Sequence, residues 1–145
     1  MRVVAILSIV ATLLTDSARA QETPPLKLQG VRLLDYGKAV RWIIGFTNVS
    51  SAPIKAFRVT LLRSNDFNES IRVFPIEYSS ESEFRTAPAR GTGGHIIKPG
   101  ETIFYVSLAF SNGTGERFFT NNPGSERPSV TVPFSIKVTQ IVNDE

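Results

Sequence analysis

Val40, Trp42, Ile44 and Phe46 occupy every second position of one stretch. Side chains of an extended strand point alternately to its two faces, so this spacing dedicates one face to a core. The pattern returns at Phe57, Val59 and Leu61, with Arg58 and Thr60 between them, and again at Phe104, Val106, Leu108 and Phe110. It is cleanest at Val130, Val132, Phe134, Ile136 and Val138, with Thr131, Ser135, Lys137 and Thr139 opposite. Residues 26–34 predict a first strand burying Leu26 and Leu28, with Val31 and Leu33 as further core positions. Residues 71–78 predict another. Pro75 lacks the N–H that a ladder needs, which assigns that strand to an edge or a bulge.

Turn residues separate these runs: Asn48 to Pro53, Ser64 to Asn68, and Lys98-Pro99-Gly100-Glu101. Two longer connections, residues 79–98 and 111–129, are rich in Ser, Glu, Gly and Pro. No stretch after residue 20 repeats apolar residues at the 3.6 spacing of a helix. About six or seven short strands, each with one apolar face, predict an all-β fold. The arrangement expected is an immunoglobulin-like antiparallel β-sandwich, with a small barrel as the alternative. Trp42 should then lie on an early central strand and fill the core.

The first twenty residues read differently. Arg2 precedes an apolar run from Val3 to Leu14, and Ala18-Arg19-Ala20 places small residues where a signal peptidase cuts. Residues 1–20 are therefore expected to be a signal peptide, 21–25 a polar leader and 26–145 one β-sandwich domain. The product is expected in a periplasm or outside the cell. The chain has no cysteine, so disulfides, thiolate metal sites and a thiol nucleophile are all excluded. The formal charge of +3 comes from scattered residues, without the basic, aromatic-interleaved patch that nucleic acids require. No later apolar run is long enough to span a bilayer.

Two segments resemble bacterial exported immunoglobulin-like domains of the FxLYD and telokin-like types. One is Phe46-Thr47-Asn48-Val49-Ser50-Ser51-Ala52-Pro53-Ile54, which matches their F-x-N-x-S-x-x-P-I turn. The other is Ile97-Lys98-Pro99-Gly100-Glu101-Thr102, which matches their I-x-P-G-E turn. The F-x-L-Y-D signature is absent, since Leu61 is followed by Leu62-Arg63-Ser64. The resemblance implies an accessory or binding module and transfers no catalytic residue.

Candidate chemistry is sparse. His95 is the only histidine, and no G-x-S-x-G element accompanies it. A histidine without a nucleophile is expected to be structural. Asp66-Phe67-Asn68-Glu69 spaces oxygens as calcium loops do but lacks the glycine and distal glutamate, so it reads as a turn. Glu77, Glu81 and Glu83 read as solvated charge. Asn48, Asn68 and Asn112 head glycosylation sequons that also suit turns.

Arg117-Phe118-Phe119 stands out, because adjacent side chains of a strand cannot share one face. Either the loop folds over an open end of the sandwich and both rings plug it, or one ring lies at the surface as an interface anchor; Arg117, Arg85 and Arg90 in the long connections complete the candidate interface. The expectation is an exported, non-catalytic module without metal or cofactor that binds another envelope or extracellular protein. A carbohydrate- or lipid-binding module using Arg85, Arg90 and Arg117 is the first alternative, and a small hydrolase dependent on His95 is the second.

Overall fold

A computed structural model describes residues 23–86, 94–129 and 131–145. The expected signal peptide, the first two leader residues, Arg90 and Val130 lie outside the described residues.

The described chain is all β apart from one 3₁₀ turn. The strands are β1 (Leu26–Asp35), β2 (Ala39–Asn48), β3 (Ile54–Ser64), β4 (Ser70–Ser79), β5 (Phe84–Arg85), β6 (Thr102–Phe110), β7 (Gly115–Thr120) and β8 (Phe134–Asn143). They form two sheets, ordered β1-β2-β6-β7-β5 and β4-β3-β8, rather than one closed barrel. All pairs are antiparallel except the short β5, which runs parallel to β7. Pro75 lies on β4, an edge strand, where its missing donor breaks no ladder on the open side.

One core fills the space between the sheets. From the larger sheet come Leu26, Val31, Ile44, Phe46, Ile103, Tyr105 and Phe119; from the smaller come Phe57, Val59, Leu61, Ile76 and Tyr78. Phe57 contacts both Phe46 and Phe119 with ring centres 5.2 and 6.4 Å apart. The alternation read on β3 therefore holds, with Phe57, Val59 and Leu61 inward. Trp42 is half-buried on β2, its ring meeting Phe74 and Phe134 edge-on at 5.2 and 5.9 Å.

On β6 the expected core face is the wrong one. Phe104 and Val106 point away from the main core and form a second, smaller cluster with Ile43, flanked by Leu34 and Phe118. Ile103 and Tyr105 face the main core instead. A strand buried on both faces loses its polar–apolar alternation, which is why Ile43-Ile44 and residues 103–106 misled a one-face reading. The cover for this outer cluster is the segment between β7 and β8. Glu126 meets the Arg41 guanidinium at 3.2 Å, Arg32 donates to the Ser125 carbonyl at 3.3 Å, and the Arg127 guanidinium lies 5.5 Å from the Phe104 ring centre. Pro128 then crosses β1 at Gly30, where a Cβ would come within 3.0 Å of the proline Cβ.

Two further boundaries differ from expectation. Residues 111–129 contain β7 rather than one long connection, because Phe118 and Phe119 each find a core on opposite faces. The last strand starts at Phe134, since residues 132–133 form a turn and Val132 is 80% exposed. A bulge near Thr139 then moves the inward positions from Phe134, Ile136 and Val138 to Ile141. On β1 a bulge near Gln29 moves the inward positions from Leu26 and Leu28 to Val31, and Leu33, on the same face nearer the strand end, is exposed.

Candidate interaction surface

The two ends of the domain differ in chemistry. At one end the F-x-N-x-S and I-x-P-G-E segments meet. Asn48 is fully buried. Its Oδ1 accepts from the Ser50 N–H and hydroxyl at 3.0 and 2.7 Å, while Nδ2 donates to the carbonyls of Ala52 and Ile97 at 2.9 and 3.1 Å. Its backbone N–H donates to Glu101, and its carbonyl accepts from Gly100, which turns at a φ of +79°. Ile54 and Ile97 exchange backbone bonds of 2.9 Å beside it. A buried amide with every group paired specifies one geometry, because any shift strands a donor or acceptor.

His95 belongs to the same end. Its Nε2 sits 2.6 Å from a Glu101 oxygen, its ring stacks on Phe84 with centres 4.0 Å apart, and its carbonyl accepts from the Tyr78 hydroxyl. The second Glu101 oxygen accepts from the Lys98 N–H at 2.8 Å. These contacts brace a turn. Glu77 and Glu83 pair with Arg58 and Arg85, each at 2.8 Å, instead of facing one another. Among the described residues no three His, Cys, Asp or Glu side chains gather as a metal would need.

Tyr78 carries a pH signature. Burial, and secondarily the negative charge of Glu101, raises its phenol well above the ordinary value of about 10. The folded state thus favours the neutral phenol. Its contribution is complete below the ordinary value and is lost as pH climbs toward the raised one. Stability should hold from pH 7 to 9 and then fall with a slope approaching about 1.4 kcal/mol per pH unit from this group. Urea melts at pH 8 to 11.5 test this. Tyr78→Phe should lose that component of the slope, and an unchanged slope would contradict the assignment.

The other end is built from turns. Ladder pairs Asp35↔Val40, Ala39↔Phe110 and Ala109↔Gly115 bring together the β1–β2 turn, the end of β6 and the β6–β7 turn. Contacts of Trp42 with Phe74 and Phe134 bring the β3–β4 turn and the start of β8 to the same end. Here lie Leu33, Tyr36, Phe67, Ile71, Phe110 and Val132, with Phe67 83% and Tyr36 59% exposed. Of the eight large apolar residues exposed on the described surface, only Val49 and Val142 lie elsewhere. Apolar residues scattered singly need no explanation, but six gathered on the turns and strand ends of one end mark a contact surface. The charges around it are mixed: Asp35 with Lys38, and Asp66 and Glu69 with Arg63 and Arg72.

The residues singled out in the sequence do not form one surface. Phe119 is 4% exposed and packs on Tyr78 and Tyr105 with ring centres 4.8 and 5.4 Å away, so it is core and not a surface anchor. Phe118 lies half-buried on the outer face, under the Arg85 guanidinium at 3.9 Å. Arg85 is further held by Glu83 and Glu116. Arg117 alone of these is exposed with no ionic partner among the described residues. Sequence reading missed Tyr36 and Phe67 because each stands alone in a short turn, and it put Val132 in the core of the last strand; only the fold gathers the three at one end.

Compared with protein-family models, curated proteins and solved structures, the chain matches none. Among the described residues no helix is long and apolar enough to cross a membrane.

Proposed function

We propose that this chain is an exported, non-catalytic immunoglobulin-like module that binds another envelope or extracellular protein through its apolar end. The placement of exposed Tyr36, Phe67 and Val132 on turns at one end, with exposed Leu33, Ile71 and Phe110 on the strand ends beside those turns, carries the reading. Strand order supports the immunoglobulin-like part. The chain passes from β2 to the other sheet, forms β3 and β4, returns so that β6 lies beside β2, and crosses again so that β8 lies beside β3. Such Greek-key crossings are usual in that class of sandwich, whose end loops serve recognition. The mixed charge of the rim favours a protein partner over an anionic lipid surface, which rewards an excess of Lys and Arg.

Photo-crosslinking in the native envelope tests the proposal. A photoreactive residue at position 67 or 132 should give the same discrete adduct, and one at position 142, at the far end, should not. Adducts that form equally well from all three positions would refute it.

A further inference from the structure

We propose that a cleft on the β4 side of the domain binds an acidic sugar. The cleft has a volume of about 370 Å³ and lies where the two sheets part, with Trp42, Phe74, Tyr105, Ser107 and Arg117 in its wall. The cleft adjoins the apolar end, sharing Ala109 and residues 113–115 with it, but its ligand is set by Trp42, Tyr105, Ser107 and Arg117 and does not depend on that reading. Its volume is at the lower end of the range for small-molecule sites, roughly 300–1,000 Å³.

The wall is built by register. Tyr105 pairs with Phe119 and Ser107 with Arg117, so Tyr105, Ser107 and Arg117 all project from the inward face of the larger sheet. The smaller sheet ends at β4, leaving Arg117 turned toward the cleft yet exposed to solvent. Arg85 and Arg58 are paired with glutamates, whereas Arg117 has no such partner among the described residues. A guanidinium in a fixed fork matches a carboxylate bidentately.

The ligand must satisfy both halves of the cleft. A bare anion would leave Trp42, Phe74 and Tyr105 unused, and an apolar ligand would desolvate Arg117 without a counter-charge. A sugar acid presents an apolar C–H face to aromatic rings, a carboxylate to Arg117 and hydroxyls to Ser107 and Tyr105. A peptide added as a strand along β4 fits less well, because Pro75 offers no N–H midway along that edge.

Trp42 is the single tryptophan of the chain, so its fluorescence reports on the cleft directly. Titrating the purified protein with glucuronate should give a saturable change, with glucose binding about tenfold or more weaker for want of the charge-assisted pair. Arg117→Ala should reduce glucuronate affinity at least about tenfold with an unchanged melting temperature, and Arg117→Lys should restore part of it. The proposal is overturned by no saturable response to glucuronate, by equal affinity for glucose, by full binding in Arg117→Ala, or by tighter binding of a short peptide through its terminal carboxylate.

Discussion

Replacing Asn48 with alanine should cost about 2–4 kcal/mol. The substitution leaves the Ser50 N–H without its partner inside a closed end of the domain and takes one of two donors from each of the Ala52 and Ile97 carbonyls, which keep the Ser50 hydroxyl and the Ile54 N–H. One buried orphan costs roughly 1–3 kcal/mol, and the two lost donor bonds, sharing one side chain, add about 1 kcal/mol more. Asn48→Asp is the sharper variant. It keeps the shape and the acceptor but turns a negative oxygen toward two carbonyl oxygens in a buried site, and so should be no better than alanine. Ser50→Ala removes only the hydroxyl bonds and should cost about 1 kcal/mol. Urea unfolding ranks the three. An Asn48→Asp variant as stable as the parent would mean the amide donors contribute nothing. The same geometry bears on the Asn48 sequon, since a glycan on Nδ2 would replace a hydrogen already donated inside the fold. Asn68 and Asn112, in exposed turns, face no such conflict.

The second large effect concerns the paired phenylalanines. Phe119→Ser should lower stability by about 3–5 kcal/mol, because the ring touches Phe57, Tyr78 and Tyr105 between the sheets. For a domain of this size that is a fall in melting temperature on the order of 15 °C. Phe118→Ser should cost less, about 1–2 kcal/mol, since its ring is only half-buried beneath Arg85. Calorimetry of the two single variants distinguishes them. Equal and small losses would place both rings at the surface, against the two-core arrangement.

That contrast shows what the sequence conveys and what it withholds. β3 is legible because it is buried on one face, so Phe57, Val59 and Leu61 alternate with Arg58 and Thr60. The edge position of β4 is legible from Pro75 alone. β6 is legible as a strand but not for its inward face, and β7 is not legible, because the covering segment around Glu126 and Pro128 creates a second small core and residues apolar on both faces do not tell which face is inward. Asn48 reads as a turn residue from its neighbours. Its burial and its bond to Ile97 depend on a contact between segments far apart in the chain. The apolar end is invisible for the same reason: Tyr36, Phe67 and Val132 are single residues in three separate turns.

The division of labour between a closed polar end and an open apolar end is tested most directly by one triple variant, Tyr36→Ser/Phe67→Ser/Val132→Ser. These side chains are exposed and should contribute little to folding, so its melting temperature should stay within about 2 °C of the parent. Its affinity for the partner identified by crosslinking at position 67 should fall by about tenfold or more. Unchanged affinity, or a loss of stability as steep as that of Phe119→Ser, would contradict the account.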